Sequence, residues 1–290
     1  MINHSKISII LPCYNEAKNL TALLEKIKSG YPEAEIIVID DASTDNSAEL
    51  AEEAGVRTIR HPRNMGNGAC IKTGARAATH EYLVFMDADG QHNPDDISLL
   101  LEKLEHGYDM AIGARRMRGH ANLYRFTANT FYNKLASFMI GIKIEDLTSG
   151  FRATRTSKFR KFLYLLPNGF SYPTTSTMAF FRSGFPVAYV PIETAIRKGS
   201  SKIRLVRDGT RFFLIILKIG ALFSPMRLFL PISFFFFFIA TSYYIYTFIA
   251  FGRFTNMSAL LYITSLLTFL IGIVSEQISS LHYRQSENDN

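Results

Sequence analysis

Two carboxylates and a side-chain amide lie close together in the sequence, at Asp87, Asp89 and Gln91. They follow an apolar run, Tyr82–Met86, that predicts a buried strand. Because strand side chains alternate in direction, we expect Asp87 and Asp89 to project from one side. Such oxygen ligands suit Mg²⁺ or Mn²⁺, which proteins often hold with one or two carboxylates plus substrate phosphates. The segment therefore predicts a metal–diphosphate site, although a lone D-x-D triplet is also common in solvated turns.

The elements that must position these side chains alternate between strand and helix. The predicted strands are 7–11, 36–39, 56–60, 82–86 and 110–113, and the predicted helices are 15–29, 43–54, 68–79 and 95–105. Ser43 or Thr44 is the expected N-cap of the second helix. This alternation indicates βαβ units and a parallel sheet, in which ligands bind beyond the carboxyl ends of the strands. A helix over 121–141 and a strand over 187–190 follow.

Two long uncharged apolar runs lie near the end of the chain, at about 228–251 and 257–275. A bilayer takes about 20 apolar residues, so the pair predicts a transmembrane hairpin, with buried core helices as the alternative. The preceding segment, 210–227, is apolar but carries Arg211 and Lys218, which favours a helix at the membrane surface over a core helix. The predicted organisation is a catalytic domain over 1–209, this interfacial helix, a hairpin over 228–276 and a polar tail over 277–290.

The net charge of +7 comes mostly from a basic belt just before the hairpin. Its members are Arg197, Lys198, Lys202, Arg204, Arg207, Arg211, Lys218 and Arg227, against Asp208 alone. By the positive-inside rule, both hairpin ends, the catalytic domain and the C-terminus should be cytoplasmic. The belt favours anionic lipid headgroups or a lipid phosphate as its partner. Without an aromatic-studded basic groove, nucleic-acid binding is not predicted.

Processing and cysteine signals are weak. The N-terminal residues lack the basic and apolar regions of a signal peptide. The chain has 2 cysteines in a region predicted to be cytosolic, so no disulfide is expected. The histidines and cysteines do not show zinc-site spacing.

Several short motifs occur in a specific order along the chain. They are Leu11-Pro12-Cys13-Tyr14-Asn15-Glu16, Ile39-Asp40-Asp41-Ala42-Ser43-Thr44-Asp45, Asn64-Met65-Gly66-Asn67-Gly68, Asp87-Ala88-Asp89-Gly90-Gln91-His92, Gly113-Ala114-Arg115, Thr148-Ser149-Gly150-Phe151-Arg152 and Arg197-Lys198-Gly199-Ser200-Ser201-Lys202. Over roughly residues 5–205 this order resembles the family 2 glycosyltransferases of GT-A fold, and among them the polyprenyl-phosphate glycosyltransferases, which include dolichol-phosphate mannose synthases. The resemblance implies an α/β, Rossmann-like fold with a mostly parallel sheet and helices on both faces, followed by the transmembrane hairpin.

The resemblance also implies roles for individual residues. The residues expected to contact the nucleotide are Pro12, Tyr14, Glu16, Ile39, Asp41 and Ala88, with Ile39 and Asp41 at the base and ribose. Asp87, Asp89 and Gln91 are the expected metal and diphosphate ligands. The basic residues expected at phosphates are Arg115, Arg197 and Lys202, and Arg152 is expected at the lipid phosphate. Asp89, Arg115, Arg197 and Lys202 would form the catalytic set, although membrane-surface charge alone is an alternative for Arg197 and Lys202.

The implied reaction is an inverting, Mg²⁺- or Mn²⁺-dependent transfer from a nucleoside-diphosphate sugar, GDP-mannose or a UDP-hexose. The acceptor would be undecaprenyl or dolichyl phosphate at the cytoplasmic membrane face. A phosphate acceptor is already anionic near pH 7, so it needs no carboxylate base; Glu145 and Asp146 are the acids considered for that role. A homo-oligomer formed through the transmembrane helices stays open.

Some features depart from the family pattern. Ala42 stands where a glycine is usual, which should be tolerated if its φ is negative. The hydroxyl-rich segment 169–177 stands where the mannose synthases carry an acidic residue in an aromatic stretch, and this leaves the sugar open. Gly66 and Gly68 are expected to permit a tight turn near the ligand. His92 is more readily explained as a turn residue than as a ligand or base.

Other functions stay open at this point. A membrane polysaccharide synthase of the same fold typically carries a Q-x-x-R-W element, but this chain has no tryptophan. A catalytically inactive membrane scaffold is disfavoured by the intact D-A-D-G-Q segment. A soluble nucleotidyltransferase-like enzyme with a hydrophobic tail is the third alternative, and a lipid-linked sugar product would exclude it.

Overall fold

The computed structural model describes residues 2–115, 123–169, 171–194 and 205–288, with backbone alone for 123–128, 205–212, 223 and 282–288. Two compact units are present. One comprises Met1–Lys134 with Lys143–Phe212, and the other comprises Leu135–Ile142 with Phe213–Asn290. The predicted phosphate ligands Arg197 and Lys202 lie outside the described residues.

The first unit is built on a seven-stranded sheet. Its strands are β1 (Ile7–Cys13), β2 (Glu35–Asp40), β3 (Arg57–Arg60), β4 (Tyr82–Phe85), β5 (Met110–Arg115), β6 (Arg152–Arg155) and β7 (Val187–Ile192), in the order β3-β2-β1-β4-β6-β5-β7. Neighbouring strands pair in parallel except β6, which runs antiparallel to both β4 and β5. The mostly parallel α/β fold expected from the sequence is therefore confirmed.

Helices connect and cover these strands. They are α1 (Ala17–Gly30), α2 (Ser47–Glu53), α3 (Asn67–Ala77), α4 (Ile97–Glu105), α5 (Leu123–Ile140), α6 (Thr156–Arg160) and α7 (Tyr172–Arg182). α1 buries Leu20, Leu23, Leu24 and Ile27, which are spaced to share one helix face. All seven residues of β1 are buried, as expected for a strand of a parallel sheet covered on both faces.

Local features differ from the sequence predictions. The strand β6 was not predicted, because its sequence, Arg-Ala-Thr-Arg, lacks an apolar run. α2 begins at Ser47, four residues later than expected, and Ser43 and Thr44 are not its N-cap. Both instead hydrogen-bond to Asn15 in the loop after β1. Ala42 has φ of +60°, so the condition of a negative φ, under which alanine should be tolerated, is not met.

The second unit contains two helices long and apolar enough to cross a membrane, α9 (Pro225–Phe251) and the Asn256–Leu281 part of α10 (Asn256–Asn288). Only 11% and 17% of their most apolar windows are buried within the protein, which argues against core helices. The preceding helix α8 covers Leu205–Phe223 and ends before Ser224. The predicted interfacial helix over 210–227 is thus divided, and Arg227 belongs to α9. The predicted polar tail is helical up to Asn288.

Candidate active site

The loops that follow β1 and β2 are joined by hydrogen bonds at the carboxyl end of the sheet. Cys13 and Asp40 are register partners, and the Asp41 amide donates to the Cys13 carbonyl at 2.9 Å. The Asn15 amide donates to Ser43 Oγ at 2.9 Å, and Asn15 Oδ1 accepts the Thr44 amide at 2.7 Å. Asn15 itself has φ of +58°, a conformation that asparagine tolerates better than most residues. These hydrogen bonds hold the polar motifs that follow β1 and β2 next to each other.

Asp41 organises the turn that leads into α3. Its carboxylate accepts the backbone amides of Met65 and Gly66, both at 2.8 Å, and contacts His61 Nδ1 at 2.8 Å. Asp41 is 3% exposed. This carboxylate was predicted to hold the base or ribose, which stays a prediction; in the structure it fixes the 65–66 backbone.

Asp41, His61 and Cys70 place their ligand atoms within 4.8 Å of one another, a spacing that would suit a metal ion. The chemistry of the three groups argues against one. His61 Nε2 contacts Thr73 Oγ1 at 2.9 Å while its Nδ1 contacts Asp41, so both ring nitrogens are engaged. Burial and the nearby Asp41 charge raise the pKa of the Cys70 thiol well above its usual range, so a metal ion at this position would have to displace a strongly held proton. The cluster is better explained as a hydrogen-bond network around Asp41.

The acidic segment predicted as the metal site lies directly after β4. β4 ends at Phe85, and Asp89 lies in a turn completed by Gly90 with φ of +72°. Asp87 and Asp89 therefore lie beyond the strand, and strand alternation does not set the directions of their side chains. The turn after β4 sets them instead. Asp87, Asp89 and Gln91 are all partly buried. The backbone amide of Gln91 donates to Asp89 Oδ1 at 3.1 Å.

A close approach between α3 and the 166–169 loop forms one wall beside Asp87. A Cβ at Gly68 would lie 2.0 Å from the Pro167 carbonyl oxygen, so only glycine fits there. The amides of Gly68 and Ala69 donate to the carbonyls of Gly169 and Asn168, at 3.1 and 2.9 Å. These two helix-terminal amides are therefore not available to a phosphate. Gly66 has φ of +96°, which confirms a tight turn at this point.

Arg115, at the end of β5, is held by Asp146 in a paired interaction. Arg115 Nε donates to Asp146 Oδ2 at 2.9 Å, and Nη2 donates to Oδ1 at 3.0 Å. The amides of Thr148 and Ser149 also donate to Asp146 Oδ1, at 3.0 and 3.1 Å. The Arg115 side chain is 38% exposed, so its charge stays accessible to a ligand.

The environment of Asp146 decides whether it is a base. Burial alone would raise the pKa of Asp146, but the Arg115 hydrogen bond and charge, with the Thr148 amide, hold that pKa below its usual range. A carboxylate with a lowered pKa and occupied oxygens is a poor proton acceptor. Asp146 thus positions Arg115, and Glu145, the other acid considered, lies in an exposed pair with Lys143 at 3.7 Å.

Arg152 does not occupy the place predicted for it. Its side chain is fully buried, at 0% exposure. The guanidinium donates to the carbonyls of Ser149 and Pro173 and to the hydroxyls of Ser176 and Thr177, the last three at 3.1, 2.8 and 3.2 Å. A lipid phosphate cannot reach a group enclosed in this way. The geometry therefore does not support Arg152 as a phosphate ligand; it joins β6 to the first turn of α7.

His92 is a packed residue. Its ring stacks on Phe151 at a centroid distance of 4.9 Å and an interplanar angle of 18°. Burial, against the opposing charge of Asp89, lowers the pKa of His92 to about 4. A histidine of that pKa is neutral at pH 7 and a weak base. This agrees with the interpretation of His92 as a structural residue.

The predicted nucleotide contacts differ in exposure. Tyr14 is 37% exposed and Glu16 is partly buried, so both are accessible. Pro12, Ile39 and Ala88 are buried in or beside the sheet. Residues to which the sequence analysis assigned no role also line this region. They include Asn67, whose Nδ2 donates to Asp87 Oδ1 at 3.2 Å, and Tyr172, whose hydroxyl donates to the Gly150 carbonyl at 2.9 Å. No sequence signal separates Asn67 from other turn asparagines.

Comparison with protein-family models identifies two matching regions. The model described as Glycosyl transferase family 2 matches residues 8–163, which include β1 to β6. The model described as GtrB C-terminal hairpin matches residues 224–281, which coincide with α9 and most of α10.

Relatives and solved structures support the same grouping. The chain is 31% identical to a polyprenol monophosphomannose synthase of Mycolicibacterium smegmatis, over 67% of this chain and 80% of that protein. It is 29% identical to an undecaprenyl-phosphate mannosyltransferase of Micrococcus luteus, over 68% and 87% of the two chains. Glucosyl-3-phosphoglycerate synthase from Mycobacterium tuberculosis, solved with Mn²⁺, UDP and glucosyl-3-phosphoglycerate, has a similar fold with a TM-score of 0.62 at 19% identity, covering 75% of this chain and 82% of that one.

Proposed function

The chain belongs to glycosyl transferase family 2, and we propose that it transfers a sugar from a nucleoside-diphosphate sugar to a polyprenyl phosphate. The donor would be GDP-mannose or a UDP-hexose, and the acceptor undecaprenyl or dolichyl phosphate. The observation that carries the proposal is the arrangement at the strand ends. Asp87 of the acidic turn Asp87–Gln91 is near enough to Arg115 to interact with it electrostatically, and Asp146 holds that arginine in place with both carboxylate oxygens.

A divalent cation fits the acidic turn. Asp87, Asp89 and Gln91 offer carboxylate and amide oxygens on a partly exposed turn, and oxygen donors suit Mg²⁺ or Mn²⁺. A structural neighbour supports this choice of metal, since it was solved with Mn²⁺ together with UDP. When bound, the cation would supply Lewis-acid stabilisation of the charge that grows on the β-phosphate. Asp87 and Asp89 would hold it, and the turn at Gly90 would orient them.

Arg115 would contribute fixed positive charge to the same phosphates. The Asp146 clamp orients the guanidinium before a ligand arrives, so little reorganisation is needed during the reaction. Both oxygens of Asp146 already accept hydrogen bonds, yet Arg115 remains 38% exposed and has further donors to offer. Arg197 and Lys202 remain proposed phosphate ligands on the strength of the resemblance.

The surroundings of Glu145 and Asp146, the two acids considered as a base, support a phosphate acceptor. Asp146 is engaged by Arg115, and Glu145 pairs with Lys143. A sugar hydroxyl would need a base to become nucleophilic, whereas a phosphate monoester is anionic at pH 7. Attack by the phosphate oxygen from the face opposite the leaving nucleotide gives inversion. Two relatives named for polyprenol or undecaprenyl phosphate support this acceptor class.

The basic belt supports, through the positive-inside rule, a cytoplasmic location of the catalytic unit in this proposal. Nucleoside-diphosphate sugars are cytoplasmic substrates, and the hairpin keeps the enzyme in the membrane that contains the lipid acceptor. The belt would also attract the lipid phosphate electrostatically.

The test is a membrane assay with wild-type protein and the variants Asp89→Ala and Asp95→Asn. Radiolabelled GDP-mannose, UDP-glucose and related donors are supplied one at a time, with undecaprenyl or dolichyl phosphate and Mg²⁺ or Mn²⁺. We expect one donor to yield a chloroform-soluble sugar and Asp89→Ala to lower the rate by at least about 100-fold, because it loses transition-state stabilisation. Asp95 forms an exposed ion pair with Lys26, so Asp95→Asn should keep full activity.

The alternatives give different products. A labelled polymer, whether water-soluble or insoluble, would indicate a polysaccharide synthase. A small labelled product in the aqueous phase would indicate a small-molecule acceptor. No labelled product with any donor would support an inactive scaffold. Full activity of Asp89→Ala would contradict the metal assignment.

A further inference from the structure

Asn67 is the first residue of α3 and touches the acidic turn through its side-chain amide. Asn67 Nδ2 lies 3.2 Å from Asp87 Oδ1. A carboxylate oxygen can only accept here, so the amide must present its NH₂ group to Asp87. The orientation of the amide, which is often ambiguous, is therefore decided by its partner.

This orientation leaves the other end of the amide unsatisfied. Asn67 Oδ1 is buried and meets no hydrogen-bond donor among the residues that the structure describes. A buried polar atom without a partner is unfavourable, and in native proteins such atoms usually await a water, an ion or a ligand. Asn67 as a whole residue is half-buried, so the residue is partly exposed next to Asp87 although Oδ1 itself is enclosed.

The kind of ligand group that can bind Asn67 Oδ1 follows from the acceptor character of an amide oxygen. A phosphate oxygen is also an acceptor and would be repelled. A hydroxyl group would donate a hydrogen bond and satisfy Oδ1. A nucleoside-diphosphate sugar carries hydroxyl groups on its ribose and on its hexose, on either side of the diphosphate.

The surroundings of Asn67 hold it firmly in this place. The preceding turn is fixed by Asp41, which accepts the amides of Met65 and Gly66. The following residues are fastened to the 168–169 carbonyls through Gly68 and Ala69. Because both flanks are fixed, the amide of Asn67 has a defined position next to Asp87 before any ligand binds.

We infer that Asn67 is a donor-recognition residue: its Nδ2 orients Asp87, and its Oδ1 accepts a hydroxyl of the nucleotide-sugar donor. This inference rests on the proposed function for the identity of the donor. It gives a ligand contact to Asn67, a member of the Asn64–Gly68 motif to which the sequence analysis assigned no role.

The test is a double-mutant cycle between Asn67 and individual ligand hydroxyls. Calorimetry with Mn²⁺ measures binding of UDP, GDP, their 2′-deoxy and 3′-deoxy forms, UDP-glucose, GDP-mannose and singly deoxygenated sugar analogues. The proteins are wild type, Asn67→Ala and Asn67→Ser; the serine keeps a donor for Asp87 and removes the amide oxygen. Asn46→Ala is the matched control, since Asn46 also lies at the N-terminal end of a helix, is exposed and forms no side-chain cap.

We expect that removal of one hydroxyl weakens binding to wild type and to Asn46→Ala by about 3- to 10-fold, the range for a single neutral hydrogen bond. The same removal should have no effect on either Asn67 variant. Coupling to a 2′- or 3′-hydroxyl identifies the ribose as the source, and coupling to a sugar hydroxyl identifies the hexose.

Uniform weakening of every ligand by the Asn67 variants, without coupling to any hydroxyl, would overturn the inference and leave Asn67 only the role of orienting Asp87. Unchanged binding in both variants would overturn it as well. A wild-type protein that binds none of these nucleotides would instead overturn the proposed function, and the inference with it. The apparent Tm of each variant in detergent confirms that it is folded.

Discussion

Ala42 adopts a backbone conformation that disfavours any side chain with a Cβ. Its φ is +60°, and the left-handed region costs an L-residue roughly 1–2 kcal/mol. The conformation persists because the two flanking residues, Asp41 and Ser43, are both held by hydrogen bonds to neighbouring loops. Such strain near a ligand site is tolerated when the surrounding structure determines the backbone.

Replacing Ala42 by glycine should therefore stabilise the protein. Glycine loses more backbone entropy on folding than alanine, so the net gain from Ala42→Gly should be about 0.5–1 kcal/mol. That corresponds to an increase in apparent Tm of roughly 2 °C, measured in detergent. Ala54→Gly is the matched control, because Ala54 has an ordinary φ of −68° and should lose stability. A lower Tm for Ala42→Gly would contradict the assigned strain.

The two cysteines provide a second residue-scale prediction. Burial raises the pKa of Cys13 to about 12, and burial with the Asp41 charge raises the pKa of Cys70 well above its usual range. The thiolate is the reactive form, so both thiols should be inert at pH 8. A thiol-reactive chromogenic disulfide should detect no reactive thiol in the folded protein and two after denaturation. Rapid reaction of either cysteine in the folded protein would contradict the burial of that group.

The Asp146–Arg115 clamp predicts a pH-dependent stability. The folded-state pKa of Asp146 is lowered, so its stabilising contribution is present above the unfolded pKa near 3.9 and is lost as the pH falls below that value. Asp146→Asn should lower stability at pH 7 by about 1–2 kcal/mol, a modest figure because solvent screens the partly exposed Arg115. The difference between wild type and variant should shrink between pH 5 and pH 3. An unchanged difference over that range would show that the charge of Asp146 is not responsible.

At the scale of elements, α9 and α10 are joined by a pair of reciprocal hydrogen bonds. Ser233 Oγ donates to the Ser265 carbonyl, and Ser265 Oγ donates to the Ser233 carbonyl, both at 2.9 Å. In a bilayer, helices gain little from burying more apolar surface against each other, so small residues and polar contacts contribute to their association. Gly272 contributes in the same way, since a Cβ there would lie 2.9 Å from Phe229 Cβ.

Removing these hydroxyls should weaken the hairpin measurably. Ser233→Ala and Ser265→Ala should each cost about 0.6 kcal/mol, the average for polar contacts between membrane helices. The cost of the double variant should differ from the sum of the single costs, because the two hydroxyls lie 3.3 Å apart and belong to one hydrogen-bond network. The measurement is thermal unfolding in detergent, with Ser242→Ala on the exposed face of α9 as the control. An equal effect of the control would contradict the specific role of the serine pair.

At the scale of the whole molecule, the orientation of the hairpin can be tested directly. The positive-inside rule predicts that the 252–255 loop faces away from the cytoplasm and that the C-terminus faces it. Because Cys13 and Cys70 are buried, cysteines introduced as Phe254→Cys or Ser286→Cys can be labelled with little background. A membrane-impermeant maleimide should label Phe254→Cys in intact cells, and Ser286→Cys only after the membrane is opened. The reverse pattern would contradict the predicted orientation.

The sequence by itself determined the α/β class, most strands and helices, the two apolar spans and the family, because apolar periodicity and the order of motifs are local properties of the chain. It also identified the acidic turn at Asp87–Gln91. Only the tertiary structure decided that Arg152 is buried, that Asp146 holds Arg115 and that Asn67 reaches Asp87. These contacts join residues 20 to 31 positions apart on different elements. Partners of this kind are chosen by how strands and loops pack together, and no local pattern contains that information.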